Sequence, residues 1–246
     1  MDDLQRAIGD LVIANRILAH ENVVDAYGHV SIRHPLRPDR YLLSRSLSPE
    51  FVTRADIIEF ALDGTPIGDE RPPYLERFIH GAIYEARPDV RAVVHSHAED
   101  LLPFSISRTP LCCVAHVASD MGNHVPVWDI ADRFGDETNL LVINMAQGRD
   151  MARALGGNSV VLMRGHGFSA AADGLLKLVR LAVYLPRNAR ILLAAMRMGE
   201  FKALSEGEIR TRNTFRPGSP EMQRGWEYWA RRAGCGDMLA ESRGGV

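Results

Sequence analysis

Two histidines that are two residues apart, His95 and His97, have the side-chain type and spacing of metal ligands. They follow the apolar, β-branched run 91–94, which is typical of a buried strand. On a strand, side chains at this spacing project from the same face, ~6.6 Å apart. Two imidazoles arranged in this way can bind one divalent ion at the ~2.0–2.1 Å that metal–nitrogen bonds require. We expect this pair at the carboxyl end of a parallel strand, where α/β sheets bind ligands.

A third histidine, His166, lies between two glycines after the apolar segment 159–163. Glycines on both sides of one side chain predict a tight turn in which the backbone closely approaches another group. With a nearby carboxylate, three histidines at two strand ends would form a mononuclear metal site with room for a substrate.

A carboxylate for this site is available in the segment 74–87, which Pro72 and Pro73 introduce and which the sequence predicts to be a helix. The helix leads directly into the His95 strand. Glu76 lies near its start, and His80 lies four residues later on the same helix face.

The remaining elements are predicted from hydrophobic periodicity and from turn residues. We expect Pro186 to kink or split the last helix, because proline removes a backbone hydrogen bond. The predicted helices are 3–21, 144–155 and 173–198, and the predicted strands are 28–33, 41–44, 57–62, 111–118, 125–128 and 159–163.

Composition limits the classes of protein to consider. The chain has 246 residues, 46% of them hydrophobic, and a formal net charge of −2, so we expect neither a nucleic-acid nor a membrane partner. Three cysteines without a CxxC spacing argue against a disulfide framework and favour a cytoplasmic protein. We expect one domain over residues 1–246, with a helical C-terminal extension from about residue 200.

Together, Glu76, the His95-Ser96-His97 motif and the Gly165-His166-Gly167 turn resemble the class II aldolase/adducin family, in order and spacing, over roughly residues 5–200. The resemblance implies an α/β fold, an αβα three-layer sandwich around a mixed central sheet. It also implies a homotetramer, or a multiple of it, with active sites between subunits.

The same resemblance implies that His95, His97 and His166 bind one divalent metal ion. Glu76 would be the acid/base and would be able to bind the metal in the resting state. Three imidazoles and a carboxylate suit Zn²⁺, Mn²⁺, Fe²⁺ or Co²⁺, and we expect Zn²⁺ or Mn²⁺.

Three dipeptides depart from the sugar-phosphate aldolases of this family, which carry Gly-Asn, Thr-Gly and Ser-Ser pairs that bind phosphate. Here the pairs read Gly28-His29, Ser44-Arg45 and Tyr74-Leu75. A guanidinium at residue 45 suits a carboxylate, which it can bind through two hydrogen bonds, and the third pair suits a flat ring. We therefore expect the substrate to contact four residues: His29, Ser44, Arg45 and Tyr74.

These segments resemble one branch of the family, the metal-dependent decarboxylases of hydroxylated aromatic dicarboxylates. That branch includes 3-hydroxy-2-methylpyridine-4,5-dicarboxylate 4-decarboxylase and 3,4-dihydroxyphthalate decarboxylase. The implied substrate is a small hydroxyaromatic dicarboxylate. The metal would act as a Lewis acid on the hydroxyl oxygen beside the breaking bond, and Glu76, together with His80, would protonate the ring carbon.

Three other functions remain open from the sequence. The first is a retro-aldolase that acts on a non-phosphorylated hydroxy-acid. The second is a non-haem iron oxygenase, since two histidines and Glu76 resemble its two-histidine, one-carboxylate site, although His166 counts against it. The third is an adducin-like scaffold without catalysis, and the intact ligand positions count against that. Release of CO₂ and consumption of O₂ separate the three enzymatic functions.

Overall fold

The computed structural model describes residues 2–213 and 219–242, and within them seven strands form one mixed sheet. The strands are His29–Arg33 (β1), Arg40–Ser44 (β2), Ile57–Ala61 (β3), Ala92–Ser96 (β4), Val127–Trp128 (β5), Val160–Met163 (β6) and Gly167–Ala172 (β7). Their order across the sheet is β3-β2-β1-β4-β7-β6-β5. Neighbouring strands are antiparallel except for β5 and β6, which are parallel.

The described helices begin and end at the signals that the sequence provides. Asp2 and Asn144 cap the first and fifth helices by accepting a backbone hydrogen bond, and Gly156 ends the fifth at a φ of 54°. The α-helices are Asp3–His20 (α1), Arg77–Ala86 (α2), Leu102–Ile106 (α3), Ala131–Phe134 (α4), Met145–Leu155 (α5), Leu175–Met198 (α6), Glu206–Arg212 (α7), Pro220–Arg232 (α8) and Gly236–Ser242 (α9). Short 3₁₀-helices span Pro49–Phe51, Arg54–Asp56, Glu99–Leu101 and His116–Met121.

Helices cover both faces of the sheet. Alternate strand residues project to opposite faces, so that Val94 packs with α1 and α6 while Val93 packs with α2 and α5. Both layers are built around fully buried aliphatic side chains. The fold is therefore the predicted αβα three-layer sandwich.

Strand register brings the polar residues of three neighbouring strands into one row. His29 of β1 lies opposite His95 of β4, and His95 lies opposite Ser169 of β7. His97 follows directly after the end of β4, and His166 lies in the three-residue connection between β6 and β7. The sheet thus places all three predicted histidine ligands close together, at the ends of neighbouring strands.

The connection that carries His166 depends on its two glycines. Gly165 has a φ of 65°, a conformation that residues with a side chain rarely adopt. A Cβ on Gly167 would lie 2.1 Å from the backbone oxygen of Ser96. The prediction of a tight turn with a close backbone approach is confirmed.

Two predictions about the strands are wrong, and one strand was not predicted. β4 is antiparallel to both of its neighbours, because helices that bury both faces of a sheet produce the same apolar run in either orientation. Segment 111–118 is irregular and leads into the 3₁₀-helix His116–Met121. Strand β7 was not predicted, because its sequence Gly-Phe-Ser-Ala-Ala-Ala contains no β-branched residue.

The long helix α6 continues through Pro186, which therefore does not split it. The proline is buried, as are Leu185 and Ala189 on either side of it. Packing of this apolar face compensates for the hydrogen bond that proline removes.

Three helices follow α6, and α8 packs against α1 and α6. Its residues Trp226 and Trp229 are buried in the same core, with the Trp229 ring edge-on to Tyr184 at 5.8 Å. None of the helices in the described residues has both the length and the apolar character needed to cross a lipid bilayer.

Candidate metal centre

Four side chains converge beside the end of β4, and they are the predicted ligands together with the predicted acid/base. The ligand atoms of Glu76, His95, His97 and His166 lie within 4.8 Å of one another. The Nε2 atom of His97 is 3.0 Å from that of His95 and 3.2 Å from that of His166. Glu76 Oε2 lies 3.4 Å from His95 Nε2 and 3.6 Å from His166 Nε2.

These separations fit a divalent ion at the centre of the cluster. Ligand atoms that lie ~2.0–2.2 Å from a tetrahedral ion are ~3.3–3.6 Å apart. The four distances given above, 3.0–3.6 Å, are close to this. Three nitrogens and one carboxylate oxygen also form a donor set that first-row divalent ions accept. The residues present therefore fit one divalent metal ion.

Glu76 reaches the cluster from the start of α2. The helix begins at Arg77, three residues later than predicted, so Glu76 is its N-cap residue, although its side chain does not cap the helix. Its Oε1 instead accepts a hydrogen bond of 3.0 Å from the backbone amide of Val142. This bond leaves Oε2 facing the histidines.

Two of the histidines are oriented through their second ring nitrogen. His97 Nδ1 lies 3.4 Å from Asp25 Oδ1, and His95 Nδ1 lies 3.3 Å from Ser169 Oγ. Asp25 is itself held, because its Oδ1 accepts hydrogen bonds from the backbone amides of Tyr27 and Gly28. Such outer partners fix the ring orientation of metal-binding histidines.

Burial sets the protonation states in the cluster. It raises the pKa of Glu76 to about 7, against the opposing effect of the Val142 amide. It lowers the pKa of His166 to about 4 and that of His95 well below the ordinary value, and neighbouring histidines add to both shifts. In the metal-free protein these two imidazoles are therefore neutral at pH 7, as metal binding requires, and Glu76 can exchange a proton near that pH.

A cavity of about 460 Å³ opens beside the cluster. Among the described residues, its wall combines aromatic, aliphatic and uncharged polar groups with the catalytic candidates and contains neither lysine nor arginine. The lining residues are Tyr27, His29, Ser46, Tyr74, Leu75, Glu76, His97, Asn139, Leu140, Leu141, Gly165 and His166. This volume suits a small ligand that can reach the metal.

Of the predicted substrate-binding residues, His29 and Tyr74 line the cavity, with their rings 4.7 Å apart. The Tyr74 hydroxyl donates to the backbone oxygen of Leu47, so its ring rather than its hydroxyl is available to a ligand. Ser44 is fully buried behind Tyr74 and donates to the Tyr74 hydroxyl at 3.2 Å. It therefore supports the cavity wall without lining it.

Arg45, a predicted substrate contact, lies outside the cavity lining of the single chain. Its Nε donates to Asp56 Oδ1 at 2.7 Å, and the adjacent Ser46 lines the cavity instead. Arg45 thus binds the carboxylate of Asp56, which lies beside the end of β2, rather than a carboxylate of the substrate.

His80, which the sequence predicts to take part in proton transfer to substrate, lies behind His29 in the structure. His80 is fully buried and absent from the cavity wall, with Nε2 2.7 Å from His29 Nδ1 and Nδ1 2.6 Å from Ser31 Oγ. Burial lowers its pKa to about 3, so it is neutral. His80 contacts the side of His29 that faces away from the cavity.

Sequence reasoning missed the groups that support the ligands, namely Asp25, Ser169 and the Val142 amide. An aspartate three residues before a glycine is typical of a turn in which the aspartate side chain accepts backbone hydrogen bonds, and this signal could have identified Asp25. Neither Ser169 nor the Val142 amide has a local signal, because each meets its partner through the register of strands or the path of a loop.

The family model described as "Class II Aldolase and Adducin N-terminal domain" matches residues 9–193. The chain belongs to the class II aldolase and adducin family. A solved structure described as an aldolase II superfamily protein from Pseudomonas syringae has the same fold, with a TM-score of 0.78 at 21% identity. The likeness covers 95% of this chain and 94% of that chain.

Two curated relatives of this family member carry names of decarboxylases. Decarboxylase tropJ from Talaromyces stipitatus is 34% identical over 244 residues, covering 90% of this chain and 92% of that protein. The 3,4-dihydroxyphthalate decarboxylase of Arthrobacter keyseri is 28% identical over 205 residues, covering 77% and 78%. These comparisons indicate that the family member described here is a lyase, and they support a decarboxylase.

Proposed function

We propose that this protein removes CO₂ from an aromatic ring that carries a hydroxyl beside the departing carboxylate and a second carboxylate elsewhere. The proposal is carried by the Glu76, His95, His97 and His166 cluster opening onto a cavity without lysine or arginine. Among the described residues of one chain, such a wall offers no lysine or arginine for the phosphate of a sugar phosphate. The rings of Tyr74 and His29 and the side chain of Leu75 suit a flat substrate.

His95, His97 and His166 would hold one divalent ion, Zn²⁺ or Mn²⁺, and Glu76 would be able to bind it in the resting state. When bound, the ion would supply a Lewis acid for the electrons that the departing CO₂ leaves on the ring. The two names that the relatives carry support carboxy-lyase chemistry.

Glu76 is the proposed acid. In the step, the bond between the ring carbon and the carboxylate breaks, and its electron pair stays with the ring. The Glu76 carboxyl then gives its proton to that carbon, which forms a C–H bond and leaves Glu76 as a carboxylate. The Val142 amide holds the other oxygen of Glu76, so the carboxyl is oriented before the substrate binds.

The test is a CO₂-release screen of metal-loaded protein over hydroxylated benzene and pyridine dicarboxylates. Parallel assays follow retro-aldol cleavage of fuculose, rhamnulose and ribulose phosphates, and His97→Ala serves as the inactive control. We expect CO₂ from at least one dicarboxylate and no sugar-phosphate cleavage. Cleavage of a sugar phosphate with no decarboxylation of any dicarboxylate would refute the proposal.

A further inference from the structure

A chain of four hydrogen-bonding side chains leads from the cavity into the protein interior. His29 Nδ1 is 2.7 Å from His80 Nε2, and His80 Nδ1 is 2.6 Å from Ser31 Oγ. Ser31 Oγ is in turn 2.9 Å from the Tyr84 hydroxyl. Of the four residues, His29 alone lines the cavity.

The inner part of this chain is sealed from solvent. His80 and Ser31 have no exposed surface and Tyr84 has 1%. The Tyr41 ring stacks on His80 at 6.3 Å, which closes the remaining side. In such a place every hydrogen-bond donor needs an acceptor within the protein.

The hydrogen bonds can run in either of two directions. In the first, Tyr84 donates to Ser31, Ser31 donates to His80 Nδ1, and His80 Nε2 donates to His29 Nδ1. In the second, every hydrogen bond is reversed, and the proton of the Tyr84 hydroxyl needs an acceptor other than these four side chains. The Tyr84 hydroxyl has Ser31 Oγ and the backbone of Val93 as partners, and the Val93 contact lowers the pKa of the phenol, as an N–H donor does. Among the described residues, the second direction therefore still leaves the hydroxyl proton without an acceptor.

An unpaired buried donor is costly, and the first direction avoids it. In that direction His29 Nδ1 accepts a hydrogen bond from the Nε2–H of His80, so the neutral His29 ring carries its own proton on Nε2. Among the described residues, no side chain forms a hydrogen bond with His29 Nε2, and the ring lines the cavity.

We propose that Tyr84, Ser31 and His80 fix His29 as a neutral hydrogen-bond donor, whose Nε2–H binds the second carboxylate of the substrate. The identity of the acceptor rests on the proposed function, whereas the direction of the chain does not. With Arg45 bound to Asp56, His29 takes the place of the expected guanidinium. Tyr84, Ser31 and His80 are positioning residues, and His29 is a substrate-binding residue that transfers no proton.

Transfer of a proton along all four hydrogen-bonded side chains is disfavoured at the innermost one, Tyr84. If His29 gave up its Nε2 proton and each partner shifted a proton outward, Tyr84 would become a phenolate in an apolar pocket. Burial raises the pKa of the Tyr84 phenol well above its usual range. The chain therefore orients a donor and does not conduct protons.

The first experiment is ¹⁵N NMR of zinc-loaded, histidine-labelled protein, with His29 assigned by the signals that His29→Gln removes. We expect the His29 Nε2 signal to be that of a protonated nitrogen and the Nδ1 signal that of an unprotonated one. A protonated Nδ1 would overturn the proposal. This measurement needs neither a substrate nor turnover.

The second experiment measures binding of phthalate and benzoate to the zinc-loaded protein by calorimetry. Phthalate has two carboxylates but no hydroxyl, and benzoate lacks the second carboxylate. We expect His29→Leu to weaken phthalate binding by about 10- to 100-fold and benzoate binding by less than about threefold. His29→Gln keeps an N–H donor and should retain most of the phthalate affinity. Equal losses for both ligands, or none, would refute the role of His29.

Two variants of His80 test the positioning role. The amide of His80→Gln can accept from Ser31 and donate to His29 Nδ1, whereas His80→Leu can do neither. We expect phthalate affinity within about threefold of the native protein for glutamine and a loss of about 10-fold or more for leucine. If His80→Gln weakened phthalate binding as much as His80→Leu does, the hydrogen bonds of His80 would not be what positions His29, and the proposal would be refuted. A native protein that shows the expected His29 tautomer but no CO₂ release would contradict the proposed function alone.

Discussion

Each of the two histidines in the His95-Ser96-His97 motif uses its ring nitrogens for different purposes. Nε2 faces the cluster, while Nδ1 faces Ser169 in His95 and Asp25 in His97. The negative charge of Asp25 favours a proton on His97 Nδ1, which leaves the Nε2 lone pair for a metal. The proposed metal site thus depends on partners that contact only the outer ring edges.

Removal of one ligand should remove the metal. We predict that His97→Ala lowers the bound divalent metal to under about a tenth of the native content and abolishes turnover, because two imidazoles and one carboxylate remain. Elemental analysis after gel filtration measures the metal, and circular dichroism checks the fold. His124→Ala, at an exposed histidine outside the cluster, is the matched control. Full metal occupancy in His97→Ala would disprove the ligand assignment.

Glu76 should be separable from metal binding. We predict that Glu76→Gln keeps the metal, since three imidazoles remain, but lowers turnover by roughly 10²–10⁴-fold, because an amide cannot deliver the proton. Stopped assays of CO₂ release together with elemental analysis test both parts. Near-native turnover in this variant would assign the proton to another group.

His80 should affect stability in a pH-dependent way. Its pKa of about 3 in the folded protein lies below the ordinary 6.5. Below pH 6.5 the unfolded chain therefore takes up a proton that the folded protein does not, and the free energy of unfolding falls by up to ~1.4 kcal/mol per pH unit. We predict that His80→Gln flattens this fall by about one proton. Urea unfolding of metal-free protein at pH 7, 6 and 5 measures it, and parallel slopes would contradict the prediction.

Among the elements, those with a strong local signal could be predicted from the sequence. The amphipathic pattern and caps of α1 and α5 gave their ends to within one residue, and the β-branched runs predicted β4 and β6. The glycines around His166 predicted its turn. These signals lie within the elements themselves, so packing against neighbouring elements did not change the structure that they predict.

Other features depend on tertiary contacts that leave no local pattern. Strand β7 is stabilised by its two antiparallel neighbours despite three alanines, and β4 is antiparallel although its sequence would suit either orientation. Arg45 occupies a position that suggested a substrate contact, yet Asp56 lies closer. Because each of these features is decided by partners that are distant in sequence, local sequence patterns could not predict it.

The Arg45–Asp56 contact ties the end of β2 to the 3₁₀-helix Arg54–Asp56. Asp56 Oδ2 also accepts hydrogen bonds from the amide and hydroxyl of Thr53, and its side chain is 11% exposed. We predict that Arg45→Ala lowers the free energy of unfolding by about 1–2 kcal/mol and changes KM by less than about threefold. Arg6→Ala, which removes an exposed pair with Asp3, should cost under about 0.5 kcal/mol. A large rise in KM without loss of stability would restore Arg45 as a substrate contact.

On the scale of the whole molecule, the mouth of the cavity is open and partly apolar. Tyr27 and Leu75 line it and are 74% and 63% exposed in the single chain. Large exposed side chains beside a binding site are typical of surfaces that a partner covers. The resemblance to the family implies that the active sites lie between subunits, and we propose the same arrangement here.

Assembly should therefore control activity. We predict a homotetramer, or a multiple of it, whose turnover per subunit falls when dilution dissociates it, because the open mouth admits water and leaves the substrate less constrained. Sedimentation velocity across the dilution series gives the species present, and CO₂ release at the same concentrations gives their activity. Metal content measured at each dilution is the control, since loss of the ion would also lower turnover. A monodisperse monomer with full metal and full activity would show that one chain forms the complete site.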